Sequence, residues 1–151
     1  MRIGAAAFAC IALAAAGCGG GTGDAIHVTD LPAECVGDSG GLLTALAAAP
    51  RPVRVDGEPI SQCFSRKDDS VEMQALGTGL VAAAETLGDR ARSGNDKAAL
   101  QLGYLVGAAE RGATQSGVAD ELIRRLQAES TVTATGRAAY DRGLRAGRAG
   151  G

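Results

Sequence analysis

Asp96-Lys97-Ala98-Ala99-Leu100-Gln101-Leu102-Gly103-Tyr104-Leu105-Val106-Gly107-Ala108-Ala109-Glu110-Arg111 is the stretch whose reading decides the fold. Ala98, Leu102, Leu105, Val106 and Ala109 recur at three- and four-residue steps, the period of an amphipathic helix. Gly112 follows and ends it. Within the helix, Ala99, Gly103 and Gly107 stand four apart and form a shallow row on one face. A glycine inside a helix costs up to about 1 kcal/mol relative to alanine. Close backbone packing is the usual compensation.

The same spacing returns at Ala139, Gly143 and Gly147, in a helix expected from about Gly136 that also carries Tyr140 and Leu144. The expectation is that these two helices pack with Gly103, Gly107, Gly143 and Gly147 at the contact. Glycine is abundant (23 of 151 residues), so composition alone also produces such rows.

Two further helices are expected. Asp69-Ser70-Val71-Glu72 has the form of a capping box, and Met73, Leu76, Leu80, Ala83, Ala84 and Leu87 follow at helical spacing to about Arg92. Ser93-Gly94-Asn95 breaks that pattern. Ser116 can cap a helix with Val118, Leu122, Ile123 and Leu126 on its apolar face. Ser130–Thr135 reads as a connector. Upstream, Leu42, Leu43 and Leu46 mark a short helix from about Gly40 to Ala49, stopped by Pro50 and Pro52. Val53-Arg54-Val55 alternates, Asp56-Gly57 is a turn signal, and Pro59 keeps any strand here short or at an edge.

The fold class is therefore all-α: a compact bundle of about four helices with a short N-terminal cap closed by a disulfide. Cys35 and Cys63 are expected to form that disulfide, with two unpaired buried thiols as the alternative. Cys10 lies in an apolar leader and Cys18 has another role, which leaves these two as an even pair. The loop they close, about 29 residues, corresponds to roughly 3–4 kcal/mol by chain entropy. Phe64, Tyr104 and Tyr140 are the aromatic residues after the leader, so the core is built from Leu, Val, Ile and Ala.

Arg2 precedes an apolar run, Ile3–Ala16, and small residues lead to Cys18. This is the pattern of a secretory signal peptide, too short for the roughly 20 residues that span a bilayer. Ala15-Ala16-Gly17 alone also suits ordinary secretory cleavage. With Cys18 directly after it, Leu13-Ala14-Ala15-Ala16-Gly17-Cys18 resembles the lipobox of bacterial lipoproteins, with Ala15 where that family most often has leucine.

The resemblance implies removal of residues 1–17, a diacylglyceryl group on the Cys18 thiol, and an extracytoplasmic protein held to a bacterial membrane by lipid. Gly19-Gly20-Gly21-Thr22-Gly23 is then a flexible tether, residues 18–33 link lipid to domain, and residues 34–151 form one helical domain. An oxidising compartment suits the Cys35–Cys63 pair.

The formal net charge of −2 is too mild to point to nucleic acid. Cys35-Val36-Gly37-Asp38-Ser39-Gly40-Gly41-Leu42-Leu43 looks like the nucleophile segment of chymotrypsin-like serine proteases, with Ser39 as nucleophile, Gly37 and Ser39 at the oxyanion hole, and leucine at position 42 in place of proline. The rest of such an enzyme is missing. That family needs a His and an Asp upstream on two β-barrels. Here the sole histidine, His27, sits 12 residues before Ser39. The plainer reading makes Asp38 or Ser39 a helix cap.

His27, Asp30 and Glu34 are too few and too loosely placed for a metal site, which needs three or four fixed ligands. No cofactor or metal is expected. Arg142, Arg145 and Arg148 fall three apart, with Arg137 before them, and suit either anionic lipid headgroups or a solvated helix end. Asp141 and Arg145 are spaced for an ion pair.

The function expected is that of a non-enzymatic, membrane-anchored interaction or structural module with an unknown protein partner. A lipoprotein holding a small apolar ligand between its helices is the alternative, and a hydrolase using Ser39 is the remote one.

Overall fold

The structure is a computed structural model that describes residues 33–36, 38–65, 70–113 and 117–151. The leader, Cys18, His27, Asp30, the Asp69 capping position and the Ser116 cap lie outside the described residues. The order of elements is α1 (Ala33–Val36), α2 (Ser39–Leu46), β1 (Arg54–Val55), β2 (Glu58–Pro59), a 3-10 turn (Ile60–Phe64), α3 (Ser70–Arg92), α4 (Asp96–Gly112), α5 (Gly117–Ala128) and α6 (Arg137–Gly150). The fold is all-α: a helical bundle with an N-terminal cap closed by the Cys35–Cys63 disulfide.

The cap is built from local chemistry. Asp56 and Gly57 both take positive φ, 51° and 86°, and so make the two-residue turn that matches strand twist. Arg54 then faces Pro59 and Val55 faces Glu58 in an antiparallel pair. Val53, Val55 and Ile60 point into the core at 0% exposure.

α2 ends at Leu46, three residues short of the Ala49 end expected from the sequence. Ala47, Ala48 and Ala49 donate to Thr44, Ala45 and Leu46 at 3.1–3.2 Å, so the chain tightens to i→i−3 bonding. Pro50 has no N–H and disfavours a helical residue before it, and the helix unwinds ahead of it. The buried Gln101 side chain takes part in this ending, its Nε2 donating to the Leu46 carbonyl at 3.1 Å.

The α3–α4 corner is a Schellman motif. Gly94, at φ 89°, donates to the Ala91 carbonyl, and Asn95 N–H donates to that of Arg90, each at 3.0 Å. Asn95 then caps α4 by accepting from Ala98 N–H at 3.0 Å. A single turn residue thus closes one helix and opens the next.

α4 is the central helix. Every residue from Leu102 to Ala109 is buried, not the apolar stripe alone. A helix enclosed on all sides needs neighbours all round it. The cap covers one side: Val53 N–H donates to the fully buried Tyr104 hydroxyl at 3.0 Å. At the C-terminal end, Gly112 lies against the Ile60–Phe64 turn, where a Cβ would overlap the Ser61 carbonyl oxygen.

α3 and α5 pack on further sides of α4, and α6 covers the last at backbone distance. A Cβ on Gly103 would overlap the Tyr140 carbonyl oxygen and stand 3.0 Å from Leu144 N, and one on Gly107 would overlap the Leu144 oxygen. In return, Cβ atoms on Gly143 and Gly147 would overlap the Leu100 and Tyr104 carbonyl oxygens. Partner numbers rise together along both helices, so α4 and α6 run parallel. Each glycine points its second Cα hydrogen at a facing carbonyl oxygen, the arrangement of a Cα–H···O contact.

Parallel neighbours require a return path, which α5 and the 129–136 connector provide. Leu126 is fully buried and Leu122 nearly so. The Ser130 and Tyr140 hydroxyls share a hydrogen bond of 2.8 Å. Thr133 Oγ1 accepts from Gly136 N–H at 3.0 Å as α6 begins.

Adding one methyl group tests the contact in both directions. Gly143→Ala drives its Cβ into the α4 backbone, which cannot yield like a side chain, and should destabilise by about 2–3 kcal/mol. Gly77→Ala in α3, whose Cβ would meet nothing within 4 Å, should stabilise by about 0.5–1 kcal/mol. Thermal melts of the two variants should move in opposite directions, and equal shifts would contradict the packing.

Candidate functional site

Asp38 and Ser39 open α2. The Asp38 Oδ1 accepts from Gly40 N–H at 2.7 Å and Gly41 N–H at 3.3 Å, which makes Asp38 the N-cap. Gly40 is held close: a Cβ there would lie 2.8 Å from the same carboxylate oxygen. Ser39 is half-buried in the first turn, and no side chain among the described residues hydrogen-bonds to it. A serine hydroxyl becomes a useful nucleophile when a base orients it and takes its proton. Gly37 and His27 lie outside the described residues.

A cleft of about 230 Å3 lies between α2, the end of α3 and the start of α4. Leu43, Ala47, Leu87 and Ala98 form its apolar walls, and Arg90, Asn95, Lys97 and Gln101 its polar ones. Asn95 and Gln101 already serve the fold, one as the α4 cap and the other on the Leu46 carbonyl. Small-molecule pockets are commonly about 300–1,000 Å3 and mostly apolar. Sequence reading did not find this cleft, because its walls come from three elements whose docking no local pattern encodes. No group of three or more His, Cys, Asp or Glu side chains suited to a metal ion occurs among the described residues.

The arginines of α6 are divided by the fold. Arg148 Nε donates to Glu110 on α4 at 2.5 Å, bridging the two helices beside their glycine contact. That carboxylate holds the Arg148 guanidinium above its usual pKa, so it stays charged. Arg137 stacks over the Tyr140 ring, 5.6 Å from its centroid. Arg111 closes the other end by donating to the Arg148 and Ala149 carbonyls at 3.0 and 2.7 Å.

Arg142 and Arg145 remain exposed, without an ion pair among the described residues. The Asp141–Arg145 pair expected from spacing does not form. An exposed ion pair at helical spacing gains little over full solvation of its two charges. The four glycines Gly103, Gly107, Gly143 and Gly147 come together as a packing contact between α4 and α6.

α5 carries its own charge cluster. Both Glu121 oxygens accept from Arg124, and Oε1 also accepts from Arg125, all at 2.8 Å. Hydrogen bonds from Arg124 and then Arg125 lower the Glu121 pKa to about 2. The arginines are exposed and Glu121 is half-exposed, all within one helix, so the cluster serves local helix order.

No family model matches the chain, and neither a curated protein nor a solved structure matches it.

Two measurements follow from this geometry. Asp38→Ala should destabilise the domain by about 1 kcal/mol while Asp38→Asn, which keeps the accepting oxygen, should change little; equal losses would remove the capping role. An NMR titration should place the Glu121 midpoint near 2 and move it toward 4.5 in the Arg124→Ala/Arg125→Ala variant. Because that folded pKa is lowered, its stabilising effect is present above the unfolded value and lost as pH falls toward 2.

Proposed function

We propose that the chain is a bacterial lipoprotein: an extracytoplasmic helical domain held to a membrane through lipidated Cys18, acting as an interaction or structural module and not as an enzyme. The observation that carries this reading is the run of Arg2, the apolar Ile3–Ala16 and Gly17-Cys18. The Cys35–Cys63 disulfide supports an oxidising compartment. The engagement of Asp38 as the α2 helix cap gives the Asp38-Ser39-Gly40-Gly41 stretch a structural role. The small, half-polar cleft favours a protein partner over an enclosed apolar ligand. The localisation follows from the anchor, since two or more acyl chains hold a protein stably where one does not.

Intact mass after expression in a bacterial host checks the anchor. The expected product begins at Cys18, carries a diacylglyceryl group and partitions with membranes, and Cys18→Ser should abolish all three properties. A water-soluble product cut elsewhere would replace this reading with ordinary secretion. Capture of partners by the native, lipidated protein, compared with the Cys18→Ser chain, then tests the interaction role.

A further inference from the structure

We propose that the exposed arginine face of α6, centred on Arg142 and Arg145, rests on the anionic surface of the membrane that holds the chain. This rests on the anchoring reading above and adds an orientation to it.

Three observations carry it. First, the face is cationic. α6 has four arginines and one carboxylate, Asp141. Glu110 engages Arg148 and the Tyr140 ring engages Arg137, while Arg142 and Arg145 project from the side opposite Gly143 and Gly147 without an ion pair among the described residues. Their charges are available to an external anion. The exposed residues between them on the helical wheel, Ala138 and Ala149, are small and let a flat surface approach.

Second, the fold brings the chain entry to the end of this helix. Cys35 in α1 is bonded to Cys63 in the 3-10 turn. Ser61 of that same turn donates to the Gly151 carbonyl at 2.5 Å, directly after α6. The first described element is therefore linked, through that turn, to the C-terminal end of α6.

Third, the lengths agree. The 15 residues from Cys18 to α1 can span at most about 50 Å, and the 14 residues of α6 extend about 21 Å. A lipid on Cys18 keeps the whole face within reach of the surface. Attachment makes the contact intramolecular, so weak attraction is enough to populate it.

Each exposed arginine near an anionic leaflet strengthens such a contact about fivefold, or about 25-fold for both. The dependence on charge predicts loss at high salt. Arg148 contributes less than its position suggests, because Glu110 already neutralises it.

The test uses the full lipidated chain with a fluorophore on Ala149→Cys, reconstituted in vesicles containing a nitroxide-labelled lipid. One set contains equal parts phosphatidylglycerol and phosphatidylcholine, the other phosphatidylcholine alone. The probe should be quenched on the phosphatidylglycerol vesicles at low salt and released at high salt. Arg142→Gln/Arg145→Gln should lower the ratio of contacting to free domain about 25-fold with the melting temperature retained. Equal quenching on both vesicles, or no change in the double variant, would overturn the proposal. A chain that stays on the vesicles with its probe unquenched overturns the contact and leaves the anchor standing, whereas one recovered free of both vesicle types overturns the two together.

Discussion

The backbone-to-backbone contact of α4 with α6 is the constraint on which the rest of the structure depends. Four glycines remove the side chains that would hold the helices apart, and four carbonyl oxygens occupy the space released. Tyr104 links this contact to the cap. Its main-chain carbonyl faces Gly147 on α6, while its hydroxyl accepts from Val53 N–H on the opposite side. With few rings to fill space, the core gains cohesion from proximity, and alanines such as Ala98, Ala99, Ala108, Ala109 and Ala139 fit where larger side chains would not. The entropy lost in ordering the helical glycines is offset by dispersion contacts that require close approach.

Much of this architecture is legible in one dimension. Helical periodicity marks α3 to α6, and Asp56-Gly57 marks the hairpin because positive φ at both turn positions restricts the residue choice. The four-residue glycine spacing marks which faces are able to approach closely. The complete burial of α4 is not legible, since Gln101 is polar by composition and is buried only because the Leu46 carbonyl needs a donor. The parallel sense of α4 and α6 is likewise hidden, as it depends on the path taken by α5. The early end of α2 reflects a competition between local helix preference and Pro50.

The Asp38-Ser39-Gly40-Gly41 stretch shows how one local geometry serves unrelated purposes. A sharp entry into a helix needs small residues and an acceptor for the first free N–H groups. A nucleophile turn also presents backbone N–H groups through small residues. The two differ in what surrounds the serine, so the distinction belongs to tertiary structure. Charge behaves similarly: α6 shows a regular row of arginines in sequence, but packing assigns Arg148 to Glu110 and leaves Arg142 and Arg145 to solvent.

The Cys35–Cys63 bond also sets the mechanical path through the molecule. A pull exerted through the chain that precedes Cys35 passes across the sulfur bridge into the Ile60–Phe64 turn and from there to Gly112 and the end of α6. Residues 36–62, which include α2 and the hairpin, form a covalently closed loop outside that path and bear little load. Tension is thus delivered to the central helix at its C-terminal end, where Gly112 meets the Ile60–Phe64 turn, while the more delicate turns are shielded from it.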